Sequence, residues 1–417
     1  MCARASRRNR PMSDAEVWVQ IDGVDVRAGT VYAHRRRNSE SATFTYDIDY
    51  LARRDAYSLD PGLPLSSGSF NTADGRRLFG AFTDCAPDRW GRKLIERSER
   101  HRATQGGVAE RSFGELDYTL GVRDDLRQGA FRFRRPGTTD WLGPAAASVP
   151  HLVGLSRLLN AVESVESDHP DDESLQLLLR AGSSIGGARP KAAVINGRGE
   201  LLIAKFPRVA SDEWDVMAWE QLALTLASRA GIRTPRTELM SVAGRNVLLL
   251  NRFDRVGDRR IGYVSAMTML EAVDGEHRSY LEIAEVIEQS SSSATRDLRE
   301  LWRRIAFSIL ISNTDDHLRN HGFLRSDTTH SWDLSPAFDL NPNPAAGPKE
   351  LSTSIDYDTF SADSATLLDV ARYFRVKDAV ALLSEVKTAV SGWIVEARRL
   401  NIPESEIELM TGAFVAG

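Results

Sequence analysis

A glycine-rich loop at residues 181–188 is followed by a strand, a turn and a second strand, and this order limits the fold more than any other feature. Its glycines let the backbone approach a bound group closely and direct amide N–H groups at it. Apolar runs then predict strands at 191–195 and 201–206, joined by a turn at Asn196-Gly197. A P-loop would lead into a helix instead. The segment therefore favours a phosphate-covering loop on a sheet, although an ordinary tight turn would also fit it.

The second strand contains a lysine, a residue type that this chain uses sparingly. Only six of the 53 basic residues are lysine, and the others are arginine. Burial of a lysine is costly unless its charge is paired. Lys205 lies within the apolar run 201–206, and the helix predicted at 214–230 offers Glu220 as a partner. A strand lysine that pairs with a helix glutamate and neutralises nucleotide phosphates is typical of kinases. The alternative is an edge-strand lysine that extends to solvent.

A dense polar cluster follows the apolar helix predicted at 301–311. It runs from Asn313 to Asn320, and it contains Asp315 five residues before Asn320. This is the spacing of the catalytic-loop aspartate and the metal-binding asparagine of protein kinases. Aspartate can accept the proton of an attacking hydroxyl, and an asparagine carbonyl is a hard oxygen ligand that suits Mg²⁺. The alternative is a solvated helix end, where Asn and Asp are common.

Two further segments complete the series. Asp339 follows Asn320 by 19 residues, which leaves room for a hairpin and supplies a second carboxylate as a Mg²⁺ ligand. The apolar strand Leu248–Leu250 leads to Asn251 and Phe253, so we expect a hinge whose backbone meets an adenine and whose phenyl ring covers the adenine face. A plain core strand would also explain the hinge segment. No segment is specific alone, but their order reproduces the parts needed for phosphoryl transfer from ATP.

The sequence resembles the HipA family of bacterial serine/threonine kinase toxins. The stretches that carry the resemblance are 184–191, 204–207, 252–255, 315–320 and 334–339, together with 17–22, 87–92 and 129–131 in a part similar to the family's β-rich N-terminal subdomain.

The resemblance implies a role for each candidate residue. Asp315 is the implied catalytic base, Lys205 contacts the phosphates, and His317 lies close to the nucleotide; these three form the predicted catalytic set. The implied Mg²⁺ ligands are Asn320 and Asp339. The implied ATP-binding residues are Ser184, Ile185, Gly186, Gly187, Ala188, Lys205, Glu220, Asn251, Phe253, Asp254 and His317.

The resemblance also implies partners and regulation. Ser184 matches the loop serine that family members phosphorylate on themselves, and Ser183 is a second candidate acceptor. The implied partner is a HipB-like helix-turn-helix antitoxin, through which alone the complex binds operator DNA. The implied protein substrates include aminoacyl-tRNA synthetases.

Two other functions remain open from the sequence. The pattern Asp315-x-His317-x-x-Asn320 also resembles the catalytic loop of phosphoinositide kinases, and antibiotic phosphotransferases share a similar spacing, so a small-molecule or lipid kinase is one alternative. A nucleotide-binding co-repressor without catalysis is the other. All four residues expected of an active site, Asp315, Asn320, Asp339 and Lys205, are present, which argues against a degenerate site.

The resemblance implies an α+β, two-lobed protein-kinase-like fold with an extra N-terminal β subdomain. We expect a disordered extension at 1–13, which includes a second candidate start at Met12, and a β-rich subdomain at 14–135. A kinase N-lobe with the glycine-rich loop, lysine strand and hinge is predicted at 136–255, and a mostly helical C-lobe at 256–417.

Composition limits the cellular setting. The charge is −5, whereas a chain that binds DNA by bulk electrostatics is normally strongly basic. Two cysteines, Cys2 and Cys85, suit a reducing cytosol and exclude a cysteine-rich zinc site. No apolar run approaches the roughly 20 residues that span a bilayer, and the basic N-terminus lacks the apolar core of a secretory signal. We therefore expect a cytoplasmic protein that does not contact membranes.

Overall fold

The computed structural model of the protein describes residues 14–36, 39–144, 149–167, 171–182, 189–208 and 211–414. The predicted extension at 1–13 and the predicted loop residues 183–188 lie outside these ranges. The strands are β1 (Asp14–Ile21), β2 (Val24–Arg36), β3 (Ser39–Tyr46), β4 (Ser69–Asn71), β5 (Phe131–Arg134), β6 (Lys191–Ile195), β7 (Leu201–Lys205), β8 (Thr237–Val242), β9 (Arg245–Asn251), β10 (Arg255–Val256), β11 (Arg259–Arg260), β12 (Tyr263–Ser265), β13 (Gly322–Arg325) and β14 (Trp332–Leu334). The helices are α1 (Ile48–Leu51), α2 (Gly80–Asp84), α3 (Arg89–Gly106), α4 (Glu115–Gly121), α5 (Leu155–Glu166), α6 (Asp172–Ala181), α7 (Val216–Arg229), α8 (Ala266–Met269), α9 (Tyr280–Ser290), α10 (Ala294–Leu310), α11 (Ser364–Asp369), α12 (Ala379–Ser391), α13 (Trp393–Arg399) and α14 (Glu404–Met410).

The chain divides into two compact units. Unit 1 consists of Met1–Leu201 and Asp254–Tyr263, and unit 2 consists of Leu202–Phe253 and Val264–Gly417. The chain therefore leaves unit 1, returns to it for one short segment, and then enters unit 2 again.

Unit 1 is built on a five-stranded antiparallel sheet in the order β4-β3-β2-β1-β5. The turn between β1 and β2 is Asp22-Gly23, and both residues have positive φ angles, of 49° and 80°. A two-residue hairpin of this kind requires such angles, which explains the aspartate and glycine there. Gly29 is needed for a different reason, because a Cβ at this position would overlap the carbonyl oxygen of Thr45 on β3.

Buried and partly exposed residues alternate along β1, and the buried ones contribute to the core of unit 1. Val17, Val19 and Ile21 are buried, whereas the residues between them are partly exposed. Two phenyl rings close the same core: Phe82 of α2 packs edge-to-face against Phe131 of β5, with ring centroids 5.2 Å apart. Burial of such side chains contributes about 1.5–3 kcal/mol each.

Unit 1 also contains a buried ion pair. The Nζ of Lys191, at the start of β6, lies 2.7 Å from Oδ2 of Asp88, and the two side chains are 4% and 3% exposed. Asp88 caps α3 as well, because its Oδ1 accepts the N–H of Gly91 at 2.7 Å. The pair therefore connects the beginning of α3 to the beginning of β6.

Unit 2 combines small antiparallel sheets with helices. β9 pairs with β7 on one side and with β8 on the other, and β13 pairs with β14. Helix α10 supplies much of the core, with Trp302, Ile305 and Phe307 fully buried. None of the helices in the described ranges combines the length and apolar character needed to cross a bilayer.

Candidate functional site

Lys205 ends β7 and bridges two carboxylates. Its Nζ lies 2.6 Å from Oε1 of Glu220 and 2.8 Å from Oδ1 of Asp339. Burial lowers the pKa of Lys205, but the charges of Asp339 and Glu220 raise it by more, so this pKa lies above the ordinary value of a lysine. The side chain therefore stays protonated and provides a fixed cation that is 11% exposed.

The position of Glu220 follows from α7. Asp215 caps this helix by accepting the N–H of Ala218 at 3.0 Å, and the helix contacts β8 and β9. Glu220 is 1% exposed, and Lys205 compensates its buried charge. The sequence predicted these two partners, and the structure brings them together.

Asp339 is held in an unusual backbone conformation. Its φ is 60°, in the left-handed region that aspartate tolerates better than most residues. The preceding Phe338 packs against Phe253, with ring centroids 5.7 Å apart. Its carboxylate is 32% exposed while it contacts Lys205. One partner of the buried lysine is thus open to solvent.

The loop that holds Asp315 and Asn320 follows the end of α10. Ser312 turns the chain with a φ of 52°, and the side-chain N–H of Asn320 donates to the Asp315 carbonyl at 3.1 Å. Burial is the largest cause that raises the pKa of the Asp315 carboxyl; His317 opposes it, and the charges of Asp339 and Asp316 add to it. Asp315 is therefore a better proton acceptor than an ordinary aspartate.

A buried network lies beneath this loop. Asp316 accepts hydrogen bonds from Tyr280 at 2.6 Å and Ser308 at 3.3 Å, and its Oδ1 lies 3.1 Å from Nε2 of His321. Burial raises the pKa of Asp316, but His321 and Tyr280 lower it by more, so it lies below the ordinary value. The Asp316 carbonyl also accepts the hydroxyl of Thr353 at 2.7 Å. These contacts fix the residue next to Asp315.

Sequence reasoning did not find the partners of Asp316. Tyr280 and Ser308 are 36 and 8 residues away in the chain, and neither lies in a recognisable motif. The only signal available was Asp316 itself, a second aspartate beside the predicted base. A buried aspartate requires polar partners, but the sequence does not reveal which ones.

His317 has a buried ring nitrogen, Nδ1, without a hydrogen-bond partner among the described residues. A buried nitrogen without a hydrogen-bond partner costs free energy unless a ligand or a water molecule forms that bond. This observation fits the predicted position of His317 close to a nucleotide.

The predicted metal ligands have suitable chemistry. Asp339 offers a carboxylate oxygen and Asn320 an amide oxygen, both of which are hard donors that Mg²⁺ prefers. Among the described residues, no group of three or more His, Cys, Asp or Glu side chains could hold a metal by itself. The donor set therefore fits an ion that also takes oxygens from phosphates and water, as Mg²⁺ does in nucleotide sites.

The other candidates are placed as follows. Asn251 is the last residue of β9, opposite Leu202, and its N–H donates to the Arg236 carbonyl at 2.9 Å. Phe253 packs on Phe338, as described above. Asp254 belongs to unit 1, where it is buried and accepts the N–H of Gly129 at 2.8 Å. Lys205, Glu220, Asn251, Phe253, Asp315, His317, Asn320 and Asp339 all belong to unit 2. The contact described for Asp254 lies within unit 1, and its role in nucleotide binding stays a prediction.

The glycine-rich loop candidates Ser183, Ser184, Ile185, Gly186, Gly187 and Ala188 lie outside the described residues.

Two family models match the chain. The HipA-like C-terminal domain matches residues 183–394, and the HipA N-terminal domain matches residues 19–114. The chain belongs to the HipA family. The resemblance drawn from the sequence is thereby confirmed.

A solved structure shows the HipA fold in this chain. The structure is the Shewanella oneidensis MR-1 complex of the toxin–antitoxin system HipA, HipB and its operator DNA. The match has a TM-score of 0.64 at 14% sequence identity and covers 95% of this chain and 94% of the matched one. The predicted fold class, α+β and two-lobed like a protein kinase, is confirmed.

Two curated relatives have names that refer to kinases. A Haemophilus influenzae protein called "Putative kinase" is 27% identical over 184 residues, which is 38% of this chain and 52% of that protein. A Sinorhizobium fredii protein called "Putative kinase Y4dM" is 29% identical over 161 residues, which is 34% of this chain and 38% of that protein. The chain therefore matches about half of one relative's length and less of the other's.

Proposed function

We propose that the chain is an ATP- and Mg²⁺-dependent serine/threonine protein kinase of HipA type. The observation that supports this most is the contact of Lys205 with both Glu220 and Asp339. It puts a permanently protonated cation beside a carboxylate suited to a metal. Phosphoryl transfer needs this combination, because its catalysis consists mainly of positioning and charge stabilisation.

In this proposal each residue has a defined task. Lys205 binds the phosphates of the nucleotide, and His317 contacts the nucleotide through its ring. Asp339 and Asn320 hold the metal through their oxygen atoms. The bound Mg²⁺ and ATP supply the phosphoryl group and the charge that offsets its oxygens. Glu220 keeps Lys205 in place.

Asp315 acts as the base. It orients the acceptor hydroxyl and takes its proton, a role favoured by the raised pKa of its carboxyl. The Asn320 amide bonds to the Asp315 carbonyl and so keeps the base and one metal ligand in a fixed relation. The Asp316 network supports the same loop from below.

We propose further that the chain is the toxin of a toxin–antitoxin pair in the cytoplasm. Its acceptors are a serine of a cellular protein, with an aminoacyl-tRNA synthetase as the first candidate, and its own Ser184 or Ser183. Its partner is a HipB-like antitoxin, through which it contacts DNA. The Shewanella complex supports this part of the proposal, because that complex contains HipA, HipB and operator DNA.

The test uses labelled ATP and Mg²⁺ with the parent chain and the Asp315→Asn variant. We expect label on Ser183 or Ser184 of the parent, mapped by peptide mass spectrometry, and a rate lower by about a thousandfold in the variant. Asp369→Asn makes the same chemical change at an exposed position of α11 and should leave the rate unchanged. Ser184→Ala tells which serine is modified while ATP binding persists.

Two results would contradict the proposal in different ways. Full activity in Asp315→Asn would remove Asp315 as the base. Absence of label in a parent chain that binds ATP and contains no prior phosphate would favour a small-molecule kinase or a nucleotide-binding co-repressor.

A further inference from the structure

The end of the chain contacts the helix that holds Glu220. In unit 2, Oε2 of Glu406, on α14, accepts two N–H groups from the first part of α7 and its cap. The backbone N–H of Asp215 donates at 3.1 Å, and the indole N–H of Trp219 donates at 2.8 Å. A carboxylate near a helix N-terminus is also stabilised by the helix dipole. The beginning of α7 is thus fixed by one side chain of α14.

The other end of α7 is held by the same terminal segment. Glu396 of α13 is 1% exposed, and its Oε2 lies 2.5 Å from a guanidinium nitrogen of Arg229 in the last turn of α7. Arg399 of α13 also contacts Glu396. Hydrogen-bonded charge pairs of this kind are shorter and stronger than neutral ones.

Three aromatic rings also pack α7 against the terminal segment. Trp393 and Phe414 stack with centroids 4.4 Å apart and an angle of 6° between their planes. The ring of Trp219 packs on both, at 6.1 Å from Trp393 and 6.0 Å from Phe414. Trp219 is 1% exposed, so its ring is enclosed by these contacts. Such aromatic pairs stabilise each other beyond the effect of their buried area.

Trp219 and Glu220 are consecutive residues of α7. Successive side chains of a helix point about 100° apart, so a contact that fixes the rotation of α7 at Trp219 also fixes the direction of Glu220. Glu220 in turn holds Lys205 at 2.6 Å. A chain of direct contacts therefore leads from Glu406 through Trp219 and α7 to Lys205.

Except for Trp393, the terminal residues that make these contacts lie beyond the part of the chain that the family models match. The HipA-like C-terminal domain ends at residue 394, whereas Glu396, Glu406 and Phe414 follow it. We propose that residues 393–414 form a positioning element for the Lys205–Glu220 pair, with Glu406 as its main positioning residue. This inference rests on the proposed kinase function, since it concerns the lysine that binds phosphate in that function.

The test is a double-mutant cycle in the full chain. The variants are Glu406→Ala, Glu220→Gln and the two combined, and the measurement is the rate of phosphate transfer from labelled ATP as a function of ATP concentration. We expect Glu406→Ala to lower the maximal rate about tenfold, with the half-saturating ATP concentration changed by less than about threefold. In the Glu220→Gln background, Glu406→Ala should have no further effect, because it acts through Glu220.

Two control variants separate positioning from general damage. Glu408→Ala removes an exposed carboxylate from the same helix and should leave the rate unchanged. Glu406→Gln keeps an acceptor oxygen for the indole and should restore most of the rate. If Glu406→Ala does not fold, Trp219→Phe removes the indole donor and keeps a smaller aromatic ring at this position, and we expect it to lower the maximal rate about threefold by the same route.

The outcomes are distinct. An unchanged rate in Glu406→Ala, or equal losses in the parent and Glu220→Gln backgrounds, would overturn the positioning role while the kinase proposal stands. No transfer in the parent chain would overturn the kinase proposal first and this inference with it.

Discussion

Each of the two units buries a lysine, and the two lysines are held differently. In unit 1, Lys191 contacts Asp88, and both side chains are less than 5% exposed. In unit 2, Lys205 contacts Glu220, which is 1% exposed, and Asp339, which is 32% exposed. The chain contains only six lysines, so their use at both places is informative.

The difference lies in what a ligand can reach. Both carboxylate oxygens of Asp88 have structural contacts, because one caps α3 and the other contacts Lys191. Burial raises the pKa of Asp88 even though Lys191 lowers it. Asp339, in contrast, is partly solvated. In the proposed function it can therefore exchange its contact with Lys205 for a metal, while Lys205 contacts a phosphate. A buried lysine alone is therefore a weak sign of a reactive site, and an exposed partner is a stronger one.

The largest expected effect is on the stability of unit 1. Lys191→Met leaves the Asp88 carboxylate buried without its cation, and we expect a loss of about 3–5 kcal/mol in the free energy of unfolding. Hydrogen exchange of the α3 amides across a urea series measures it. The double variant Lys191→Met/Asp88→Asn keeps the helix cap and removes the charge, so it should recover most of the loss. No recovery would mean that Lys191 stabilises unit 1 by packing alone.

The next effect concerns activity. Lys205→Met should slow phosphate transfer by about a hundredfold to a thousandfold, because the phosphates lose their fixed cation. Lys191→Met, assayed at a temperature where it remains folded, should stay within about threefold of the parent. The measurement is a single-turnover rate with labelled ATP. Similar losses in both folded variants would remove the distinction between the two lysines.

The smallest effect is a pH dependence that belongs to unit 1. Burial raises the pKa of Asp60 from 3.8 to about 6 while its oxygens accept the N–H groups of Gly62 and Ala81. Because the pKa of Asp60 is higher in the folded chain than in the unfolded one, the folded chain binds the proton more tightly. Stability is therefore lost as the pH rises through the folded-state pKa. Between about pH 5 and about pH 7, the free energy of unfolding of unit 1 should therefore fall by about 1 kcal/mol.

Asp60→Asn should remove this dependence, as measured by hydrogen exchange of β1–β3 amides corrected for intrinsic rates. In unit 2, Asp316 has a lowered pKa, so its contribution is lost only as pH falls to more acidic values. A loss that persists in Asp60→Asn would point to another group in unit 1.

The sequence predicted the parts of the site that depend on local pattern. Lys205 in an apolar strand and Glu220 in the next helix could be identified as partners, because a buried lysine needs a paired charge and kinases pair a strand lysine with a helix glutamate. The β1–β2 turn at Asp22-Gly23 also depends on local residues, since few residue types adopt its positive φ angles.

Long-range pairings were not predictable in the same way. Lys191 and Asp88 are 103 residues apart, and Lys205 and Asp339 are 134 apart. The residues around Lys191 and Lys205 do not indicate which distant element will pack against each lysine. Asp254 also has a long-range contact that its position after the hinge strand does not reveal, since it accepts the N–H of Gly129, 125 residues away; its nucleotide contact stays a prediction.

The return of the chain to unit 1 at Asp254–Tyr263 has a consequence for biosynthesis. Within unit 1, this segment accepts the Gly129 N–H through Asp254, and the Arg260 N–H donates to Gln20 at 2.7 Å. A ribosome delivers residues in order from the N-terminus, so unit 1 is incomplete until residue 263 has emerged. By then β7, α7, β8 and β9 of unit 2 have already left the exit tunnel. The nascent chain can therefore complete unit 1 only after residues 202–253 of unit 2 have been synthesised. A fragment that stops at Leu201 would lack Asp254–Tyr263, the last segment of unit 1.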